Sequence, residues 1–504
     1  MQALCSPGRQ ELAAEIALHL EKGLAYDDAI ASLVLAAEND AARFAYRDSI
    51  QVLRHTLTLV PHAAVEHRAE LETQLFERIG DAQYWLGEMV ECARAYEAEA
   101  ACAARRGLPS VQVNALSFLI RPFGLIDPDR GIAAAEEAVA LSAGLGDPRL
   151  HARTELLAAG SRLLYDTWRG DDWQTCESAR RTLEALSPAG VPDYHRMIYA
   201  HLQMLQGHYE EALASLEAGI PKANEPTSLM VHMFALSGTT VAQLLSGRFG
   251  ELLRIIRAGR EMAEKNGNDP WIFVFREAWL RCVVLDFNGA RQLCETVTHT
   301  ATTALARQPQ TIARLARGYA ELERGHYDEA SRYFGEILDP AVTPKFFLHW
   351  YWRMSAQLGL SNVWLAAGSL GRARSEADRF LASALSTAEP NLHALGWDVQ
   401  ARVSMAEKDW RGAEANIERG LVVLERFHIP TVAWRVHATR SELYRRERNH
   451  DAAEAQRAQA ERVVLTLAGS FEPDEPLRRS FLSADPIRRI VGSRPPGRNA
   501  RPRR

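Results

Sequence analysis

Nothing in this chain offers a bilayer or a secretion machinery a handle. No run of about 18 apolar residues exists, the minimum for a membrane-crossing helix. The N-terminus, Met1 to Leu12, has no apolar stretch of the signal-peptide kind. The six cysteines (Cys5, Cys92, Cys102, Cys176, Cys282, Cys294) form neither a CxxC nor a paired framework. They read as small apolar core residues of a reducing compartment. The expectation is a cytoplasmic protein without membrane contact.

The recognisable machinery of chemistry is missing too. No GxxxxGK[ST] loop is present to cradle a triphosphate and no GxGxxG to approach a dinucleotide, while Gly144-Leu145-Gly146 reads as a helix stop. There is no HExxH and no zinc-finger spacing. His195 and His201 stand six apart and His201 and His208 seven apart, without a third ligand. No GxSxG elbow exposes a serine. The carboxylate pairs Asp171-Asp172 and Glu210-Glu211 fall at turns and helix starts, where acids cap and meet the positive end of the helix dipole. No catalytic residue, cofactor or metal is expected; the chain reads as a non-enzyme.

Strand-forming runs of β-branched and aromatic residues are scarce, whereas Ala, Leu, Glu and Arg dominate, so the fold class is all-α. At 504 residues the chain exceeds what one core supports, which stops growing near roughly 250–300 residues. With 47% hydrophobic residues it is not a disordered polymer, and an elongated array fits the composition best. A net charge of −5 argues against broad nucleic-acid binding. The exception is the end of the chain, where Arg488 to Arg504 contains seven arginines, three prolines and no acid. That tail reads as a solvated end, and through it alone is contact with phosphates expected.

What is present is a repeat. Gly207-His208-Tyr209-Glu210-Glu211-Ala212 recurs as Gly325-His326-Tyr327-Asp328-Glu329-Ala330 and as Gly247-Arg248-Phe249-Gly250-Glu251-Leu252. The last residues of all such phrases are Cys92, Ile132, Cys176, Ala212, Leu252, Ala290, Ala330, Ala373, Ala413 and Ala453, spaced by 40, 44, 36, 40, 38, 40, 43, 40 and 40. Eight of these ten anchors are Ala or Cys, and twelve residues earlier eight repeats again carry a small residue, such as Gly80, Gly318, Ser361 and Ser441. Small residues on facing helices allow the close approach of an antiparallel hairpin. Three residues before the anchor six repeats carry an aromatic (Trp173, Tyr209, Phe249, Phe287, Tyr327, Trp410), expected to plug the space beside the turn. The repeat around Ile132 matches this pattern least.

Prolines mark the same period a second time, from Pro109 and Pro148 through Pro192, Pro226, Pro270, Pro309, Pro344 and Pro390 to Pro430. In Leu145-Gly146-Asp147-Pro148 glycine ends one helix, aspartate caps the next and proline takes its first position; Asn266-Gly267-Asn268-Asp269-Pro270 repeats the device.

The phrase G-x-Y-x-x-A with a small residue twelve positions earlier resembles the tetratricopeptide repeat, and the period near 40 is similar to its elongated variant in bacterial signal-transduction ATPases. Residues 11–60, with Glu11-Leu12-Ala13, Ala36-Ala37 and Phe44-Ala45-Tyr46, resemble the segment where the superhelix of those proteins begins. Pro476-Leu477-Arg478-Arg479-Ser480-Phe481-Leu482 and Pro486-Ile487-Arg488-Arg489-Ile490 resemble their terminal helix. The resemblance is to the C-terminal arm alone. It implies a right-handed superhelix, and a protein or peptide partner: an ATPase, cyclase or DNA-binding regulator on another chain. A stand-alone peptide-binding adaptor and a small-effector sensor remain open beside it.

The architecture expected is therefore a TPR-like solenoid of about eleven hairpins. Residues 1–60 form the opening helices, 61–468 the repeat array, 469–490 a terminal helix and 491–504 the basic tail. Candidate partner or ligand contacts are the aromatic and arginine residues on the first helices of the late repeats, which line the concave face of a solenoid. They are Trp271, Arg276, Trp279, His349, Trp350, Arg353, Trp397, Arg402, Trp434 and Arg435. The run Phe346 to Arg353 is aromatic all round, more than one core-facing stripe can bury. Packing against neighbours on both sides is the competing reading for all of them.

Overall fold

The structure, a computed structural model, describes residues 12–43, 45–186, 193–218, 229–265, 270–298 and 307–492. Every regular element among them is helical. The first half runs α1 (Ala13–Lys22), α2 (Tyr26–Ala42), α3 (Tyr46–Leu59), α4 (Arg68–Trp85), α5 (Met89–Arg106), α6 (Pro109–Phe118), α7 (Ile120–Ile126), α8 (Pro128–Ala143) and α9 (Pro148–Tyr165). It continues through α10 (Gly170–Leu186), α11 (Asp193–Leu205), α12 (Tyr209–Ala218), α13 (Leu229–Leu245) and α14 (Phe249–Lys265). The second half is α15 (Trp271–Val283), α16 (Phe287–Thr298), α17 (Arg307–Glu323), α18 (Tyr327–Leu338), α19 (His349–Ala366) and α20 (Leu370–Leu385). Then come α21 (Pro390–Ala406), α22 (Trp410–Arg426), α23 (Pro430–Arg446), α24 (His450–Gly469), α25 (Pro476–Ser483) and α26 (Asp485–Val491). Successive helices pair as antiparallel hairpins, and the hairpins stack into a right-handed superhelix.

The columns of the repeat are physical contacts. Ser361 Oγ donates to the Ala373 carbonyl (3.3 Å) and Ser441 Oγ to the Ala453 carbonyl (2.7 Å), so each small residue lies against the backbone of its own anchor. Phe334 is fully buried, with its ring between Gly318 of its own hairpin and Gly359 of the next. A Cβ on either glycine would sit 2.5–2.6 Å from that ring. The cap at Asp147 forms as its residue types dictate. Gly146 has φ +68, and the Asp147 carboxylate accepts from the amides of Arg149 and Leu150 at 3.0 Å. In the repeat around Ile132 the first helix is broken into α6 and α7, and the small residue in contact is Gly131, one place before the anchor.

Two local expectations change. Phe346 and Phe347 precede α19 rather than belonging to it: Leu348 turns at φ +56 and its amide donates to the Leu164 carbonyl at 2.8 Å. The described residues also end in two short helices rather than one, because Ala484 is extended before α26 begins at Asp485-Pro486. Glu11, Phe44, Cys5, Pro192, Pro226, the cap sequence 266–269 and the tail from 493 lie outside the described residues.

The superhelix closes on itself. Segments roughly 180–220 residues apart touch where one turn lies on the next. Lys345 Nζ pairs with Asp129 (2.7 Å) and Asp166 (2.8 Å), and the Trp350 indole donates to the Leu163 carbonyl (3.0 Å). Asn391 Nδ2 donates to the Tyr209 hydroxyl (2.8 Å), the Phe249 amide donates to Ser470 Oγ (3.2 Å), and Arg257 pairs with Glu475 (2.7 Å). Two of the aromatics before the anchors, Tyr209 and Phe249, seal the seam between turns, Phe249 packing on Phe471 at 5.2 Å between centroids. Trp410 is instead 37% exposed.

Candidate functional site

A cavity of ≈ 690 Å³ lies inside the superhelix, lined mainly by first helices of successive hairpins: α15, α17, α19, α21 and α23. Equivalent positions recur along its wall. Trp279, Tyr319, Asn362 and Arg402 each stand eleven residues before their anchors, so the superhelix stacks them as a ladder. Leu358, Asp398 and Ala438 form the neighbouring row. From the middle to the late repeats the ladder changes from aromatic and aliphatic to polar. Pro486 and Arg489 bring α26 to the rim.

The apolar wall is built from interlocked rings. Trp279 meets Trp352 edge-on at 4.8 Å and Tyr351 at 5.4 Å, and Trp434 closes the far side. The polar end is a small network. Thr439 Oγ1 donates to Asp398 Oδ1 (2.5 Å), while Arg402 approaches Asp398 Oδ2 only to 3.7 Å. The Arg435 guanidinium lies 4.3 Å over the Trp434 ring and faces Tyr319, Asp398 and Arg402. Burial pulls the Arg435 pKa down, and Tyr319 and Asp398 oppose that. Asn362 lies beside Tyr319, and its Oδ1 is sealed in the wall without a partner among the described residues. Toward the rim, burial and then Asp485 push Glu323 above the usual carboxylate range. Within the wall, two arginines (Arg402, Arg435) against one carboxylate (Asp398) leave one positive charge in a largely apolar chamber.

Of the ten residues singled out in the sequence, Trp279, Arg402, Trp434 and Arg435 line this chamber. The other six stand elsewhere. Arg276 is buried behind the wall, bonded to Ser237 Oγ (3.2 Å) and lying over Phe275 and Trp279; burial pulls it down to about 9. Trp350 is held in the seam between turns, and His349 beside it is kept at about 4 by burial and the nearby Arg353 and Lys345. Arg353 donates to the Leu338 carbonyl (2.5 Å). Trp271 packs half-buried against the core, and Trp397 lies under the Arg419 guanidinium at 4.8 Å. Sequence reasoning passed over Tyr319, Asn362 and Asp398. The signal was available in the shared repeat position, which puts Asn362 in register with Trp279 and Arg402.

The rings and the two late-repeat arginines of the chamber are groups that can hold a ligand. Among the described residues no helix is long and apolar enough to cross a membrane.

No protein-family model matches the chain, and no curated protein matches it in sequence. Solved structures do match in shape. A Rap protein complexed with competence and sporulation factor aligns over 72% of this chain and 99% of its own, at 15% identity with a TM-score of 0.51. The Cut9–Hcn1 hetero-tetramer of the APC/C aligns over 98% and 97% at 12% identity, with a TM-score of 0.47. What the chain shares with known proteins is the fold, that of a tetratricopeptide-type repeat solenoid.

Proposed function

We propose that this chain is a non-catalytic sensor and protein-binding arm of a bacterial signalling or transcription-regulatory system. A small effector occupies the central chamber, and the outer helices meet a separate protein: an ATPase, cyclase or DNA-binding regulator. The observation that carries this reading is the chamber itself. Its ≈ 690 Å³ falls within the range of roughly 300–1,000 Å³ usual for small-molecule sites. An occupant would touch helices of five successive hairpins at once and so favour one curvature of the superhelix over others, which is what a sensor requires.

Native mass spectrometry after exposure to the small-molecule fraction of the source cell tests this. A single stoichiometric adduct is expected on the wild type and none on Ala438→Trp, which fills the chamber. Equal adducts on both, or none on either, would contradict the reading. A short peptide in the same channel is the second reading, favoured by the Rap protein of similar fold, solved with competence and sporulation factor.

A further inference from the structure

Taking the chamber as the effector site, the arrangement of its charges and rings narrows the chemistry of what fits. Charged side chains confined in apolar surroundings are stable when paired and hydrogen-bonded. Asp398 is largely satisfied within the protein: Thr439 donates to one oxygen, and Arg402 stands near the other at 3.7 Å. Arg402 is correspondingly held by one long contact. Among the described residues Arg435 makes no ion pair and no hydrogen bond, and its guanidinium lies 4.3 Å over the Trp434 ring. Two guanidinium groups therefore face the chamber with donors to spare, and they share one carboxylate. Arginine's planar fork matches a carboxylate bidentately. Trp279, Tyr351 and Trp352 line the same chamber and give it an aromatic wall suited to an apolar body.

We infer that the effector is a small organic anion: a carboxylate held between Arg402 and Arg435, with an aromatic or alicyclic body against the wall that carries Trp279 and Trp352. This rests on the effector reading above. Two features point to it independently: the surplus positive charge and the aromatic wall. A neutral lipid-like occupant would leave the guanidinium donors unmet. A cation would add charge beside Arg435.

Calorimetric titration with 3-(4-hydroxyphenyl)propionate and its neutral amide tests the inference. The acid is expected to bind the wild type at least about tenfold more tightly than the amide, as a lost charge-assisted hydrogen bond implies. Added salt should weaken the acid and leave the amide unchanged. Arg435→Gln, checked for folding by circular dichroism, should lower the acid to the level of the amide and leave the amide as it was. Arg419→Gln, beside Trp397 outside the chamber, should change neither. Equal affinities of acid and amide in the wild type, both abolished by Ala438→Trp, would overturn the anion and leave the chamber as the effector site. Failure of both probes to bind at millimolar concentration would overturn the two together.

Discussion

Gly247 and Gly325 occupy the same place in two copies of the repeat phrase, with the same left-handed backbone, φ +80 and +79. An alanine at either pays about 1–2 kcal/mol for that conformation. Their surroundings differ. At Gly325 a Cβ would meet nothing within 4 Å, whereas at Gly247 it would lie 2.5 Å from Leu467 Cδ2 and 2.9 Å from Pro430 Cγ, both one superhelical turn further along. Carbon atoms are content at about 3.5–4.0 Å, and a proline ring gives way poorly. Forcing a methyl into packed surroundings costs about a further 1–3 kcal/mol. Gly325→Ala should therefore lose about 1–2 kcal/mol and Gly247→Ala about 2–5 kcal/mol in urea unfolding. Small-angle scattering should also show a larger radius of gyration for Gly247→Ala alone, because the clash lies between turns. Equal losses and equal radii would refute the claim that the turns are in contact at this seam.

Other consequences follow from single contacts. Phe334→Ala, which empties the slot between Gly318 and Gly359, should cost about 3–5 kcal/mol, measured by chemical denaturation; a loss below 1 kcal/mol would show the slot collapses. Arg276 is 4% exposed, with Nη1 unpartnered and no carboxylate bonded to it among the described residues, so Arg276→Met should raise the melting temperature. A fall would mean the guanidinium is satisfied. Burial, with Arg153 and Arg121 nearby, holds His195 at about 3, below its unfolded value of about 6.5. Its folded form is the neutral one, so its contribution is present above about pH 6.5 and lost as pH falls toward 3. Relative to His195→Asn, the wild type should lose about 1.4 kcal/mol per pH unit below pH 6.5; a constant difference between pH 7.5 and 5 would refute the assignment.

The sequence exposed what repeats and what neighbours share. The small residues at Ser361 and Ser441, the cap at Asp147 and the period itself are local, set by contacts within one hairpin or between adjacent ones. The seam between turns is not local. Gly207 is favoured by its own turn, with φ +80, but Phe427 and Pro390 stand over it from the next turn, and nothing in its own repeat announces that contact. That contact depends on the summed rotation of several hairpins, which residue types do not encode singly. The same limit explains the late aromatics. Trp350 and Phe346 look surplus to one helix face because a third surface, the turn carrying Leu163 and Leu164, packs on them. Arg402 and Arg435 were legible as arginines that packing does not call for. Asn362 shares its repeat position with Trp279 and Arg402 and could have been read from the register; that this column and the one with Asp398 face a common chamber depends on how the hairpins stack in space.

The most direct test of the account is hydrogen–deuterium exchange with and without the small-molecule fraction of the source cell. Slower exchange is expected on α15, α17, α19, α21 and α23, with their partner helices α16, α18, α20, α22 and α24 unchanged. Protection confined to the partner helices, or none anywhere, would contradict a sensor that holds its effector inside the superhelix.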